Sequence, residues 1–260
     1  MTISAPLAER LPAGAGVVAD TAAVQAVDLV RRYGDGEAVV EALRGVTLTV
    51  ARGQFCAVMG PSGSGKSTLL HHLAGLDVPT SGSVVLDGHD LSTMNDDQLT
   101  RLRRDHVGFV FQAFNLLSTL SAEENVVLPM ALAGRTPDRD WLEAVLERVG
   151  LTERRHHRPF ALSGGQQQRV AVARAMLAEP TVLFADEPTG NLDSASGAEV
   201  LGLLREAVDA FGQTTVMVTH DAHAAAIADR VLILADGHLV TDLDQPSETE
   251  VVAALREASR

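Results

Sequence analysis

The chain has 260 residues, of which 46% are hydrophobic and 21% charged, and 21 Lys and Arg against 34 Asp and Glu give a formal net charge of -13. This balance excludes a disordered or collagen-like chain, and its acidity argues against generic nucleic-acid binding, which needs basic patches. The single cysteine, Cys56, excludes a disulfide within the chain. The basic residues comprise 20 Arg and only one Lys, Lys66.

The first half of the sequence predicts strands around one glycine-rich loop. Residues 1–22, rich in Ala, Gly and Pro and without periodicity, predict a mobile N-terminal extension. Apolar runs separated by turns then predict a small antiparallel sheet, with a strand, a glycine-rich loop and a helix after it. The predicted strands are 24–30, 39–43, 46–50, 55–59 and 83–86, and the apolar stretch of the helix is 69–76.

The second half alternates helical patterns with apolar strands. Residues 113–160 read as mainly helical, and 140–149 place Trp141 among the apolar positions of an amphipathic helix, where we expect it in the core. A further helix should run from Ser163 to about residue 178. Continuous apolar strands then alternate with helices, which predicts a parallel sheet covered on both faces. These strands are 181–185, 214–219 and 231–234, and an acidic stretch with a short amphipathic helix occupies 241–260.

No segment predicts a membrane span. The longest stretch without Asp, Glu, Lys or Arg, residues 106–122, has 17 residues and is interrupted by polar ones, whereas a span needs about 20 mostly apolar residues. The N-terminus lacks a basic segment followed by an apolar one, so no secretory signal is predicted. We therefore expect a cytoplasmic location.

The glycine-rich loop, GPSGSGKST, fits the pattern G-x-x-x-x-G-K-[ST] between an apolar strand and a helix. Gly63 and Gly65 let backbone N–H groups face an anion, and the helix N-terminus favours negative charge there. Lys66 can reach the β- and γ-phosphates of a nucleotide, and the Ser67 hydroxyl can bind Mg²⁺. The alternative is a glycine-rich turn with an incidental lysine. The predicted phosphate-binding residues are Gly60, Pro61, Ser62, Gly63, Ser64, Gly65, Lys66, Ser67 and Thr68.

Two carboxylates follow the apolar strand at 181–185. Asp186 would lie beside residues 60–68, which we call the phosphate loop, and help to hold Mg²⁺, because both stand at carboxyl ends of strands in one sheet. Glu187 would point elsewhere and could polarise a water that attacks the γ-phosphate. A solvated strand end is the alternative for this pair taken alone.

A second glycine motif, LSGGQQQR at 162–169, lies 17 residues before Asp186. Ser163 can N-cap the following helix, and Gly164 and Gly165 expose backbone donors there. An ordinary helix-start loop would explain Ser-Gly-Gly but not the whole motif at this spacing. We interpret it as a second anion site, distant in sequence from the first.

These motifs resemble the ATP-binding cassette (ABC) transporter ATPases over about residues 24–240, and most closely the macrolide-exporter, lipoprotein-release and FtsE-type subfamily. FVFQAFNLL (109–117), ENVVLP (124–129), QQQ (166–168) and ADEPTGNLD (185–193) carry that closer resemblance. It implies an α/β P-loop NTPase fold with a mostly parallel core sheet, an N-terminal antiparallel β subdomain and a helical subdomain. The implied boundaries are 23–240 for the ATPase domain, with the helical subdomain at about 113–165, and 241–260 for the tail.

The resemblance also implies residue roles, with ATP and Mg²⁺ as cofactors. Gln112 matches the Q-loop glutamine that senses Mg²⁺ and water, Asp193 belongs to the D-loop, and His220 matches the switch histidine that contacts the γ-phosphate. Tyr33 would stack on adenine, although it could be a surface turn residue, just as His220 could be a polar strand end. The implied catalytic residues are Glu187, His220, Gln112 and Lys66. Metal ligands would be Ser67, Gln112 and Asp186. Nucleotide contacts beyond the phosphate loop would be Tyr33, Gln112, Ser163, Gly164, Gly165, Gln166, Asp193 and His220.

By the same resemblance, two copies of the chain pack head to tail, and ATP on Lys66 of one copy meets Ser163 and Gly165 of the other. The dimer would drive a separate FtsX- or MacB-type membrane permease from the cytoplasmic face of the membrane, for export or extraction, without a nucleic-acid partner. A regulatory ATPase that transmits force or a signal across the membrane would carry the same motifs. A soluble ABC ATPase of translation or DNA repair fits less well, because the chain has neither a second cassette nor a long coiled-coil insertion.

Overall fold

The computed structural model describes residues 22–34 and 39–258, and its strands form two sheets. The first sheet is antiparallel, in the order β2-β1-β4-β5. Its strands are β1 (Ala22–Tyr33), β2 (Val40–Ala51), β4 (Ser81–Leu86) and β5 (His89–Asp90). The two strands predicted at 39–43 and 46–50 are one strand, β2, because pairing with β1 continues through Arg44 with shifts in register.

The second sheet has the order β10-β9-β3-β8-β7-β6, in which β6, β7, β8, β3 and β9 are parallel and β10 is antiparallel. Its strands are β3 (Phe55–Met59), β6 (Val107–Phe111), β7 (Val182–Asp186), β8 (Thr214–Val218), β9 (Arg230–Ala235) and β10 (His238–Asp244). The buried strands β3, β7, β8 and β9 confirm the predicted parallel sheet. The predicted boundary at residue 240 falls inside β10.

The described helices are α1 (Lys66–Leu73), α2 (Asp96–His106), α3 (Ala122–Leu132), α4 (Arg139–Arg148), α5 (Gly164–Leu177), α6 (Ser194–Phe211), α7 (Ala222–Ala225) and α8 (Glu248–Ala258). Capping boxes begin four of them, at Asn95, Ser121, Ser163 and Ser247. Each box satisfies backbone N–H groups that have no partner within the helix. None of the helices in the described ranges is long and apolar enough to cross a membrane.

Three apolar clusters hold these layers together. One fills the space between the antiparallel sheet, α1 and one face of the parallel sheet, and the second packs α5, α6 and α8 on the opposite face. The third joins α3, α4 and α5, with Trp141 packed against it. The fold is the mixed α/β arrangement that the sequence predicts. The extension predicted for residues 1–22 lies outside the described residues, apart from Ala22, which begins β1.

Candidate functional site

The phosphate loop is held against two neighbouring strands at positions that only glycine can occupy. Gly60 has φ +147, and a Cβ there would lie 1.9 Å from the carbonyl oxygen of Leu234 in β9. At Gly65, with φ +101, a Cβ would lie 2.3 Å from the carbonyl oxygen of Ala42 in β2. Any other residue would push the loop away from these strands, so both glycines fix the position at which α1 begins.

The other loop residues differ in burial and in their hydrogen bonds. Ser64 is buried, its N–H donates to the carbonyl of Pro61 at 3.2 Å, and its own carbonyl accepts from Gly237 at 3.1 Å. Gly63 has φ +80 and open space around the position of a Cβ. Ser62 is exposed on the loop, and Thr68 lies in the first turn of α1. The loop is therefore anchored at its base and open at its tip.

Lys66 folds its side chain across the loop. Its Nζ donates to the carbonyl oxygens of Gly60 at 3.0 Å and Pro61 at 2.8 Å. Burial lowers the pKa of Lys66 from its ordinary value, although the carboxylates of Glu187 and Asp186 act in the opposite direction. The ammonium is thus held in a pocket of oxygen atoms with two acidic groups nearby.

Asp186 lies at the carboxyl end of β7, beside the start of α1. The Ser67 hydroxyl donates to its Oδ1 at 3.2 Å. Burial raises the pKa of Asp186, and the Ser67 hydrogen bond is the largest of the effects that oppose it. A hydroxyl and a carboxylate are oxygen ligands of the kind that Mg²⁺ prefers, so this pair fits that ion.

Glu187 and His220 form a second pair at the same edge of the sheet. Glu187 has φ +47, an uncommon conformation for a residue with a side chain, and its N–H donates to the carbonyl of Val218 at 2.9 Å. Its Oε2 lies 3.3 Å from Nδ1 of His220, whose side chain is 68% exposed. The turn therefore separates two consecutive carboxylates: Asp186 contacts Ser67, whereas Glu187 contacts His220.

Gln112 is directed toward the loop after β7. Its Nε2 donates to Oδ1 of Asn191 at 3.2 Å, and Nδ2 of Asn191 donates back to the Gln112 carbonyl at 3.0 Å. A Cβ at Gly190 would lie 2.7 Å from the same Nε2. The amide of Gln112 is thus paired with Asn191, and none of the hydrogen bonds described for it joins Ser67 or Asp186.

Gln168 is a residue that the sequence analysis missed. Its side chain is fully buried, and its Nε2 donates to the carbonyls of Phe111 at 3.2 Å and Pro188 at 2.6 Å. Phe111 directly precedes Gln112, and Pro188 directly follows Glu187. The amide of Gln168 therefore connects the two segments that carry these site residues. The only signal in the sequence was its place as the third glutamine of the LSGGQQQR motif.

The LSGGQQQR motif starts α5 and packs against the start of α6. Ser163 caps α5, and Gln166 completes the capping box. A Cβ on Gly165 would lie 2.7 Å from Oγ of Ser196. The N–H of Ser196 donates to Asp193, the N-cap residue of α6. Gly164 also lies on this surface. Within the described ranges, no hydrogen bond joins residues 163–166 or Asp193 to the phosphate loop of the same chain.

Tyr33 lies at the end of β1 and is 41% exposed. Its hydroxyl donates to Oδ2 of Asp77 at 3.1 Å, and the guanidinium of Arg31 lies 4.4 Å from the ring centroid. Arg31 covers one face of the ring, so a planar base could stack on the other face.

The fold and this arrangement define a P-loop nucleotide-binding domain of the cassette type: a glycine loop with its lysine, an acidic strand end, and a second glycine motif on a helical layer. A family model described as ABC transporter matches residues 43–190. The chain belongs to the ABC transporter family and is an ABC ATPase domain, as the motifs predict.

Individual relatives agree with this assignment. The chain is 48% identical over 221 residues to a Macrolide export ATP-binding/permease protein MacB of Chlorobaculum tepidum, covering 84% of this chain and 34% of the relative. It is 50% identical over 214 residues to Macrolide export ATP-binding/permease protein MacB 1 of Aeromonas hydrophila, covering 82% and 33%. The chain therefore spans about a third of the length of these curated relatives.

Solved structures show the same fold. The dimeric ATP-binding cassette MJ0796, in a post-hydrolysis state bound to ADP and Pi, is 40% identical with a TM-score of 0.78, over 86% of this chain and 99% of that one. The protein cbiO1 of Clostridium perfringens, part of the ABC transporter complex cbiONQ, is 30% identical with a TM-score of 0.79, over 90% and 92%.

Proposed function

We propose that this chain binds and hydrolyses ATP to drive a membrane permease of the FtsX or MacB type, for export or extraction of a substrate. The observation that carries the proposal is the convergence of Lys66, Ser67, Asp186, Glu187 and His220 at the carboxyl edge of one sheet. The export direction and the type of permease rest on the names of the MacB relatives.

The phosphate loop would hold the nucleotide. Its N–H groups and the start of α1 attract negative charge, and the ammonium of Lys66 would exchange two carbonyl partners for phosphate oxygens. Tyr33 would place the adenine ring. This exchange is favourable because a charge-assisted bond between an ammonium and a phosphate is stronger than one to a neutral carbonyl.

Ser67 and Asp186 would hold Mg²⁺, with Gln112 joining them after it leaves Asn191. Bound there, the ion would neutralise phosphate charge. Glu187 stands one residue further along and would accept a proton from the attacking water, while His220 would donate to the γ-phosphate. The 3.3 Å contact between these two side chains supports a shared role, because each can hold the other in position before the nucleotide arrives.

The partner that completes the site would be a second copy of the chain. Gly165 lies against Ser196 at the start of α6, and within the described ranges neither residues 163–166 nor Asp193 has a hydrogen bond to the phosphate loop of the same chain. The solved cassette MJ0796 is dimeric. In a head-to-tail dimer with twofold symmetry, the motif of one copy would face the loop of the other, which makes two equivalent composite sites.

The permease would place the dimer at the cytoplasmic face of a membrane. Residues 23–240 would form the ATPase domain, with the helical subdomain at about 113–165 as the permease contact. The tail from 241 begins within β10, which pairs with β9, and continues into α8, whose Val251 is buried. We infer from this packing that the tail folds against the ATPase domain rather than forming a separate unit.

The Glu187→Gln variant tests the proposal. We expect it to bind ATP, to form an ATP-dependent dimer in size-exclusion chromatography, and to hydrolyse ATP about 10²–10⁴ times more slowly, the contribution typical of a general base. Glu248→Gln is the matched control, because Glu248 also contacts a histidine, His223, at 3.1 Å on the surface. Unchanged hydrolysis in Glu187→Gln, or an equal loss in the control, would contradict the assignment.

A further inference from the structure

Three side chains of the types that bind metal ions lie close together, away from the proposed nucleotide site. Asp87 follows β4, His89 begins β5, and His106 ends α2. One ligand atom from each lies within 4.8 Å of the other two. Nδ1 of His106 is 2.7 Å from Oδ2 of Asp87, and the two imidazole rings are 5.4 Å apart between centroids. The topology therefore brings two imidazoles and a carboxylate to one point.

This group stands at the opposite edge of the parallel sheet from the phosphate loop. His106 directly precedes β6, and Thr181, which contacts the group, directly precedes β7. Asp186, at the other end of β7, belongs to the nucleotide site. A five-residue strand is about 16 Å long, so the two groups of side chains are separate sites.

The residues around Asp87 hold its carboxylate in place. Arg52 binds Oδ1, and the Thr181 hydroxyl donates to Oδ2 at 3.1 Å. Metal ligands are commonly oriented by such outer hydrogen bonds, which fix the direction of the lone pairs. Oδ2 of Asp87 faces the histidines, while the bond to Arg52 occupies the other oxygen.

We propose that Asp87, His89 and His106 form a binding site for a transition-metal ion of the Zn²⁺ class. Two imidazoles and one carboxylate are a set of ligands that Zn²⁺ accepts, with a water molecule completing four positions. Mg²⁺ and Ca²⁺ prefer sites built from oxygen alone. His89 is exposed, so an ion can enter from solvent.

A bound ion would connect the two sheets. Asp87 lies in the turn between β4 and β5 of the antiparallel sheet and His89 begins β5, whereas His106 directly precedes β6, the edge strand of the parallel sheet. In the structure, Nδ1 of His106 lies 2.7 Å from Oδ2 of Asp87 and 3.1 Å from the Thr181 hydroxyl. Two ligand atoms bonded at about 2.0–2.2 Å to one tetrahedral ion lie about 3.3–3.6 Å apart, so metal binding would separate Nδ1 and Oδ2 by about 0.6–0.9 Å.

Untagged full chain, stripped with EDTA and free of nucleotide, tests the proposal. Isothermal titration with Zn²⁺ should show one tight site per chain, and Co²⁺ bound in its place should give the visible absorption of a four-coordinate site. His89→Gln should lose both signals. Because His89 is exposed, this variant should keep its circular dichroism spectrum and its ATP binding. His238→Gln, which alters an exposed histidine in β10, is the matched control and should behave like the unaltered chain.

A second readout is thermal. Zn²⁺ should raise the unfolding temperature of the unaltered chain and of His238→Gln, and leave that of His89→Gln unchanged, because ligands stabilise the state that binds them. Excess Mg²⁺ should not displace Zn²⁺. The proposal is overturned if the unaltered chain binds Zn²⁺ no better than His89→Gln does, if His238→Gln loses the site equally, or if Mg²⁺ displaces the ion.

Discussion

Replacement of Gln168 by methionine is expected to damage both stability and turnover. Methionine has a similar length and volume, so the core around α5 should stay filled. The variant removes the Nε2 group that donates to the carbonyls of Phe111 and Pro188. The two segments that carry Gln112 and Glu187 would then lose their shared anchor.

The size of the effect follows from which carbonyl is left without a partner. Phe111 keeps the N–H of Phe114 at 3.3 Å, whereas the Pro188 carbonyl has no other hydrogen bond described. A buried acceptor without a partner costs about 1–3 kcal/mol. The variant also removes Oε1 of Gln168, which is itself buried without a partner. We therefore expect a net loss of about 1–2 kcal/mol in unfolding free energy, which for a domain of this size is about 2–8 °C in Tm.

Thermal unfolding by circular dichroism and steady-state ATP hydrolysis measure the two effects. Turnover should fall more than ATP affinity, because Gln168 does not touch the phosphate loop. Gln167→Met is the matched control: its amide donates to Leu162 at 3.1 Å from a half-buried position, where water can replace it. That control should change stability by less than about 0.5 kcal/mol. An unaltered Tm in Gln168→Met, or equal losses in both variants, would refute the reasoning.

Three other substitutions probe separate parts of the molecule. Lys66→Arg should impair nucleotide binding or turnover in a filter-binding and hydrolysis assay, and near-normal activity would contradict the role given to the ammonium. Gly60→Ala should abolish ATP binding and lower the Tm, because its methyl group would lie 1.9 Å from the Leu234 carbonyl. Arg155→Gln should lower the free energy of unfolding by about 1 kcal/mol, because Arg155 bridges one glutamate on α3 and one on α4. The loss should be smaller at high salt. A loss of stability independent of salt would show that packing matters more than charge.

The sequence predicted the strands with continuous apolar runs and missed elements whose signals are weak or mixed. β3, β7 and β8 are short, buried and bounded by turns, so periodicity identifies them. Helix α2 buries only Leu99 and Leu102, too few apolar positions to give a clear pattern. Strand β10 alternates between exposed and half-buried residues inside an acidic stretch, and its pairing with β9 depends on tertiary structure.

The candidate site divides in the same way. The proximity of Lys66, Asp186 and Glu187 could be predicted, because the carboxyl ends of strands in one parallel sheet lie at one edge. Gln168 was not, because its partners lie 57 and 20 residues away, and only the folded chain brings them within reach of one amide. The sequence also provided no indication of the left-handed backbone conformation of Glu187. Residues with a side chain seldom adopt it, and the surrounding contacts must compensate for about 1–3 kcal/mol of strain.

The geometry around Lys66 explains why the chain's one lysine stands here among 20 arginines. Its Nζ lies between two carbonyl oxygens of the loop, at 3.0 and 2.8 Å, inside a turn that is pressed against β9 at Gly60. A compact ammonium fits there and, in the proposed function, would turn its three donors from carbonyls to phosphate oxygens without moving the loop. A guanidinium is planar and wider, and its fixed fork of donors matches paired carboxylate or phosphate oxygens rather than the inside of a tight backbone turn. In the proposed function, the loop stays packed against β9 so that its N–H groups face the phosphates. The side chain at position 66 therefore needs a small charged group.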